Sequence, residues 1–183
     1  MKTYRTQDSL RGAEVAFDKV ALSADSLVGA EGQGLEMLEE ALDFAGALLC
    51  AEAVGAMKYA CDTTLEYLKT RKQFGQNIGA FQALQHRMVD MYIVCEQARS
   101  MAILAATKVD AGGDASERKR AVSSAKVKIA DAARQVSQES VQLHGGMGMT
   151  EELKVSHNFR RLTMIAQRFG DADHHLERYA ALG

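Results

Sequence analysis

The chain has 183 residues, of which 47% are hydrophobic and 25% are charged, a balance typical of one soluble globular domain. Its net charge of -2 argues against nucleic acid or an anionic membrane surface as the main partner. No stretch reaches the roughly 18–20 uninterrupted apolar residues that a membrane span requires. Because the N-terminus also lacks the apolar core of a signal peptide, a cytoplasmic protein is expected.

Cysteine and proline usage gives a first indication of the fold. The three cysteines, Cys50, Cys61 and Cys95, lie in helical sequence and form no CxxC pair. They are therefore predicted to be buried reduced thiols, and neither a disulfide nor a zinc site. Proline is absent, which favours long uninterrupted helices.

The first thirty residues differ from the rest of the chain. Residues 13–22 (AEVAFDKVAL) partly alternate between apolar and charged side chains, which predicts one strand. A loop that carries Gly29, Gly32 and Gly34 follows it. A lone strand has no partner within the chain, so we expect its sheet to lie elsewhere and the sequence to be a fragment.

Two long helices follow the loop. Apolar residues recur at steps of three and four from Leu35 onwards, which predicts a helix that ends near Thr70. The same rhythm resumes near Gly79 and continues until Gly112 and Gly113 stop it.

A third long helix and two shorter ones complete the chain. Asp114 and Glu117 form a plausible capping pair at the start of the third helix, and Gly145 and Gly146 end it. A fourth helix is predicted to begin around Thr150, whose two following glutamates suit the helix dipole.

The pattern breaks once more near the C-terminus. Gly170 ends the fourth helix, and Asp171 can cap a short terminal one. Long helices joined by brief turns predict an all-α, antiparallel four-helix-type bundle with a short residual β-segment at the N-terminus.

Three segments carry a resemblance to a known family. Residues 67–85 (YLKTRKQFGQNIGAFQALQ) and 140–152 (SVQLHGGMGMTEE) closely resemble the two signatures of the acyl-CoA dehydrogenases, in the expected order and spacing. Residues 16–38 are similar to the exit from that family's β-domain. The resemblance implies that residues 1–31 are the tail end of the middle β-domain and a linker, and that residues 32–183 are the C-terminal helical bundle domain.

The resemblance implies FAD as the cofactor, with its adenine and diphosphate held largely on a neighbouring subunit. The residue types suit this role, because Arg71 offers a fork of donors for a diphosphate and glutamine both donates and accepts. Glycines let backbone amides approach a nucleotide closely. The positions carried over from the family are Arg71, Phe74, Gln82, Gln142, Gly145 and Gly146.

Each of these positions also has a purely structural interpretation. Taken alone, Arg71 is a solvated residue at a helix end, Phe74 is a core residue, and the HGGMG run is a helix stop followed by a turn. The joint occurrence of both segments favours the flavin site.

The reaction implied by the resemblance is α,β-dehydrogenation of an acyl-CoA. A carboxylate removes the α-proton, and the β-hydrogen leaves as hydride to flavin N5. The family also implies an electron-transfer flavoprotein or similar acceptor, and a homo- or hetero-oligomer, either dimer or tetramer.

The catalytic carboxylate of the family has no counterpart in this sequence. The glutamate position falls on Gly170 within RFGDAD (168–173), and the alternative position on the first helix falls on Ala45. Three hypotheses follow. In the first, the alignment slips by one residue and Asp171 is the base. In the second, another subunit of a heteromeric dehydrogenase supplies the base. In the third, the base comes from elsewhere, or the fold serves another reaction. For Asp171, capping of the last helix is the structural alternative.

Two remaining interpretations concern metals and interactions. His174 and His175 are expected on an exposed face of the final helix. No metal site is expected, since no segment supplies the paired Glu-x-x-His motifs of di-iron bundles.

The alternative to an enzyme is a helical interaction or oligomerisation module, or a pure helical scaffold. Bound FAD would distinguish the flavoenzyme from these alternatives.

Overall fold

A computed structural model describes residues 1–182 and shows a helical bundle. Its α-helices are α1 (Gly34–Thr70), α2 (Gln82–Asp110), α3 (Ala115–His144), α4 (Lys154–Gln167) and α5 (Ala172–Ala181). Its short strands are β1 (Lys2–Arg5), β2 (Arg11–Glu14), β3 (Lys72–Gln73) and β4 (Gln76–Asn77). The predicted all-α class is confirmed.

Helix α3 lies at the centre of the bundle and packs against α1, α2, α4 and α5. The core is rich in small side chains, because Ala53, Ala98, Ala125 and Ala132 are fully buried. Small residues let helix axes approach closely, and larger side chains such as Ile129 fill the remaining space between them.

Two predicted helix starts are wrong by several residues. The segment Ile78–Ala80 is a 3-10 turn that precedes α2, and a Cβ on Gly79 would lie 2.8 Å from the Leu68 carbonyl oxygen. Helix α4 begins at Lys154 and not near Thr150. In both cases a turn that closes against the preceding helix delays the regular α-helix.

The caps of two helices agree with the sequence. Asp114 Oδ1 accepts a hydrogen bond from the Ser116 amide at 2.9 Å, as expected of an N-cap. Glu117 does not complete the predicted capping pair with a bond to Asp114, because its carboxylate binds Lys108 Nζ at 2.6 Å. Asp171 Oδ1 caps α5 by accepting from the His174 amide at 2.9 Å.

The predicted N-terminal strand is wrong in position and in partner. Only Ala13 and Glu14 of that segment belong to a strand, and β2 pairs with β1 of the same chain in an antiparallel hairpin. The apolar residues that suggested the strand, such as Phe17, are exposed, so no sheet face buries them here. An ion pair of 2.7 Å between Asp8 and Arg161 ties the hairpin to α4.

Helix α1 is long and apolar enough to cross a membrane by length and composition alone, a property that buried helices of soluble proteins share. Here it packs against α2, α3 and α4 and carries the buried Asp43. The thiols of Cys50, Cys61 and Cys95 are free and buried, as predicted. Burial raises the pKa of Cys50 to about 11, which keeps this thiol protonated.

Candidate functional site

A cleft of about 600 Å³ opens where the C-terminal ends of α1 and α3 meet the start of α2. Four of the predicted cofactor residues line it together, namely Arg71, Gln142, Gly145 and Gly146. The first comes from one signature-like segment and the other three from the second, so the fold joins segments about seventy residues apart in the chain. Phe74 and Gln82 are not among the lining residues.

A tight hairpin turn forms one side of the cleft. Phe74 and Gly75 both have positive φ, 54° and 81°, as the central residues of a type I′ turn must. At the base of this hairpin, the amide of Ile78 donates to the Arg71 carbonyl at 2.9 Å. Phe74 lies at the tip, is 89% exposed and meets Phe81 edge-on at 6.0 Å. It is therefore not a core residue.

The glycine-rich end of α3 forms the opposite side. Gly145 has a φ of 60°, and a Cβ on Gly148 would lie 2.5 Å from the Val141 carbonyl oxygen, so conformation and packing explain these two glycines. Neither explains Gly146, where an added Cβ would meet no heavy atom within 4 Å. Its bare backbone faces open space in the cleft.

The charge of the cleft favours an anion. Within residues 1–182 the Arg71 guanidinium and the Gln142 amide make no hydrogen bond or ion pair. Arg87 donates to Glu139 Oε2 at 2.6 Å, and this hydrogen bond raises the pKa of Arg87. No described residue that lines the cleft carries a carboxylate, so Arg71 is its uncompensated charge.

Among the cleft residues that the sequence did not single out are Tyr67, Arg87 and His144. Tyr67 and His144 lie within the two signature-like segments and Arg87 lies two residues beyond the first, but nothing in the sequence shows that they face the same space as Arg71. His144 is 3% exposed, and its ring lies 4.4 Å from that of Tyr67 with an interplanar angle of 32°.

A side chain at Gly170, the position that aligns with the family's base, would be strained in this conformation. Gly170 has a φ of 103°, which L side chains rarely adopt. A Cβ built there would also lie 2.3 Å from Cδ2 of His174. The alternative position, Ala45, is a half-buried residue of α1.

Buried polar groups from α3 and α5 fix the backbone on both sides of Gly170. Lys126 Nζ donates to the carbonyls of Ile165 and Arg168 at 3.0 and 2.7 Å. His175 Nε2 donates to the Phe169 carbonyl at 3.0 Å. These side chains therefore bind carbonyl groups at the C-terminal end of α4 and in the turn that follows it.

His175 is 4% exposed, so its predicted place on an exposed face is wrong, whereas His174 is exposed. The reason is the direction of α5, which turns His175 towards Ser123 of α3, with 3.3 Å between Nδ1 and Oγ. Burial and the nearby Lys126 charge lower the pKa of His175 to about 4, so the ring is neutral at pH 7.

Asp171 lies outside the cleft described above. It lines a separate cavity of about 470 Å³ between α3, α4 and α5, together with Asp131, Arg134 and Asp173. The two cavities share no lining residue. One carboxylate oxygen of Asp171 caps α5, the role that the structural alternative assigns to it.

Comparison with known proteins relates the chain to one family. The family model described as "Acyl-CoA dehydrogenase, C-terminal domain" matches residues 32–181. An L-prolyl-[peptidyl-carrier protein] dehydrogenase from Serratia sp. is 33% identical over 156 residues, which cover 85% of this chain and 39% of that protein.

Solved structures agree with the sequence match. A structure described as "PigA with FAD and proline" has a TM-score of 0.89 at 28% identity and is matched over 98% of this chain and 48% of its own. Butyryl-CoA dehydrogenase from Megasphaera elsdenii has a TM-score of 0.90 at 27% identity, over 98% and 47%. The chain thus spans less than half the length of the proteins it matches.

Proposed function

Because this chain belongs to the acyl-CoA dehydrogenase family, we propose that it forms the nucleotide-binding part of an FAD-dependent enzyme that dehydrogenates acyl thioesters. FAD is the cofactor of this family, as the FAD-containing relative indicates. The flavin would supply the acceptor for the β-hydride. The role of this chain is to bind and orient the other end of the cofactor.

One observation carries the proposal: the cleft combines an unpaired Arg71, an unpaired Gln142 and the open backbone of Gly146. A guanidinium matches the paired oxygens of a diphosphate and binds them bidentately. A carboxamide can both donate hydrogen bonds to a nucleotide and accept them from it, and a glycine lets a ligand approach the backbone. The residues present therefore fit the adenosine diphosphate portion of FAD. Phe74 and Gln82 are proposed as contacts for the rest of the cofactor or for the adjacent subunit.

The same proposal assigns the base to another subunit of a heteromeric enzyme. Neither Gly170 nor Ala45, the two positions that align with the family's base, has a carboxylate. One carboxylate oxygen of Asp171 is engaged in the cap of α5. The thioester would be carried by coenzyme A, or by a carrier protein as the name of the Serratia relative suggests. An electron-transfer flavoprotein is the proposed acceptor of the electrons.

Equilibrium binding of ADP and of FAD tests the nucleotide site. ADP contains the adenosine and diphosphate without the flavin ring, so its binding requires no other domain that contacts the flavin. Arg71→Ala is expected to weaken both ligands by about 10- to 100-fold, because a charge-assisted hydrogen-bond pair is lost.

Arg99→Ala is the matched control, since Arg99 is exposed on α2 and only pairs with Glu96 at 3.5 Å. Its ADP affinity should equal that of the wild type. Equal affinities for wild type and Arg71→Ala would reject the proposed site. If the wild type binds neither ligand but forms stable oligomers, the chain is a helical scaffold instead.

A further inference from the structure

We infer that Nε2 of His144 is a hydrogen-bond acceptor for a sugar hydroxyl of the bound dinucleotide, an inference that rests on the function proposed above. The imidazole is thereby a positioning group of the cleft. It complements the charge of Arg71 with a neutral acceptor that recognises the hydroxyl-bearing part of the ligand next to the diphosphate.

The hydrogen bond at the other ring nitrogen fixes the tautomer. Nδ1 lies 2.8 Å from the carbonyl oxygen of Ser140, and a carbonyl oxygen can only accept. The proton of the neutral ring is therefore on Nδ1, and Nε2 carries a lone pair. Burial lowers the pKa of His144, which favours this neutral form at pH 7.

The ring cannot turn away to satisfy Nε2 elsewhere. It is 3% exposed, packs on Tyr67 at 4.4 Å and belongs to the last residue of α3. A Cβ on Gly148 would lie 3.1 Å from Cβ of His144, so the following turn also closes on it. The imidazole is held in one orientation before any ligand binds.

Nε2 is exceptional among the buried polar atoms of this protein. Of the buried side-chain nitrogens and oxygens within residues 1–182, it alone lacks a hydrogen-bond partner. The neighbouring buried hydroxyls of Thr64 and Ser140 bond to each other at 2.8 Å, and Asp43 binds two arginines. Leaving a buried acceptor unpaired is costly, and this one belongs to a residue that lines the cleft.

The ligand chemistry follows from the neighbours of His144. An unprotonated nitrogen accepts only from a donor, which excludes phosphate oxygens and selects a hydroxyl or an amine. In FAD, hydroxyl groups flank the diphosphate on both sides, on the ribose and on the ribityl chain. If Arg71 binds the diphosphate, these sugar hydroxyls are the hydrogen-bond donors of FAD that lie nearest to the diphosphate in the cleft.

Nitrogen NMR of the histidine side chains in the 183-residue chain tests the inference directly. At pH 7 the free chain should show His144 protonated at Nδ1 and unprotonated at Nε2, and ADP or FAD should shift the Nε2 resonance. His144→Phe keeps the ring packing on Tyr67 but removes the acceptor, and it should weaken ligand binding by roughly 5- to 15-fold. His157→Phe is the control on α4, since His157 is exposed and does not line the cleft.

Two ligand series identify the sugar. If the ribose supplies the hydroxyl, the wild type should bind 2′,3′-dideoxy-ADP more weakly than ADP, by the same factor that His144→Phe costs. The His144→Phe variant should then bind ADP and 2′,3′-dideoxy-ADP with equal affinity. If the ribityl chain supplies it, His144→Phe should lose affinity for FAD only. Both results support the inference and differ in the sugar.

Three results would overturn it. The first is an Nε2 that is protonated at pH 7 in the free chain. The second is wild-type affinity of His144→Phe for both ligands together with an unmoved Nε2 resonance, which means that an internal water or nothing satisfies the nitrogen. The third is no binding of either ligand to the wild type, which rejects the nucleotide site as well. Since the NMR readout uses the wild type, it decides the inference even if the phenylalanine variant fails to fold.

Discussion

The cleft and the turn around Gly170 differ in whether their polar side chains have hydrogen-bond partners. In the cleft, the side chain of Arg71 and Nε2 of His144 have no partner within residues 1–182. Around Gly170, the polar side chains of Lys126, Asp171 and His175 all bind backbone groups.

This difference separates a binding site from a structural turn. Unpaired donors and acceptors in a cleft are available to a ligand, whereas groups that close helix ends are already engaged. The difference supports the proposal that this chain holds part of the cofactor and that another subunit supplies the base. The following predictions test whether the two regions can be changed independently.

The largest effect is expected from Asp43→Ala, which removes the anion that supports α5. Buried Asp43 accepts from Arg118 at 3.1 Å and from Arg178 at 2.7 Å. Removing this buried carboxylate from two partly buried guanidiniums should lower the free energy of unfolding by roughly 3–5 kcal/mol, as measured by urea denaturation. ADP affinity under folding conditions should remain that of the wild type. Asp62→Ala is the control, since its pair with Lys58 is exposed and its removal should leave the free energy of unfolding unchanged.

His175 should make stability depend on pH. Its pKa in the folded state is about 4, below the ordinary value of 6.5 that applies when the chain unfolds. The unfolded state therefore binds more protons between these values, and stability falls as the pH decreases from 6.5 to 4. The loss amounts to about 3 kcal/mol if the full shift is realised.

Comparison with His175→Gln isolates this contribution from that of His144. The variant should show a shallower decrease in unfolding free energy over the same pH range, whereas His174→Gln should follow the wild type because His174 is exposed. Parallel curves for wild type and His175→Gln would mean that the ring is not held neutral by the fold.

Two glycines of the same turn should respond differently to alanine. Gly148→Ala brings a Cβ to 2.5 Å from the Val141 carbonyl and should destabilise the protein by roughly 1–3 kcal/mol. Gly146→Ala meets nothing, so its melting temperature should not change, but its ADP affinity should fall. Unchanged ADP binding by Gly146→Ala would show that the ligand does not approach this backbone.

Asp171 is expected to have the smallest effect, limited to its cap. Asparagine caps a helix as well as aspartate does, so Asp171→Asn should keep the stability of the wild type, and Asp171→Ala should lose about 1 kcal/mol. Thermal denaturation of the two variants checks this order. Equal losses for both would show that the charge, and not the hydrogen bond to the His174 amide, stabilises α5.

The sequence predicts the bundle well because helix formation is largely local. The three-four spacing and the cap at Asp114 determine α1, α2 and α3 to within a few residues, and the glycines after α3 mark its end. The hairpin at the N-terminus was mispredicted because the alternation at Val15 and Phe17 looked like a buried strand, although no sheet covers those side chains here.

The site was predictable only in part. Arg71, Gln142 and the two glycines are predicted because the family segments contain them, and the fold brings them to one cleft. The burial of His175 depends on the direction of α5, and the unpaired Nε2 of His144 depends on contacts with Tyr67 and Ser140. Such long-range geometry leaves no mark in a local sequence pattern.

Anaerobic reduction of the flavin by a panel of acyl-CoA thioesters tests the central claim, which is that this chain binds FAD but carries no base. The experiment uses the complete gene product that contains the chain, alone and with its second subunit. We expect bound FAD that stays oxidised with the product alone and bleaches in the visible range once the second subunit is added. Bleaching by the product alone, abolished in Asp171→Asn, would show that the base is not supplied by another subunit and would identify Asp171 as the base.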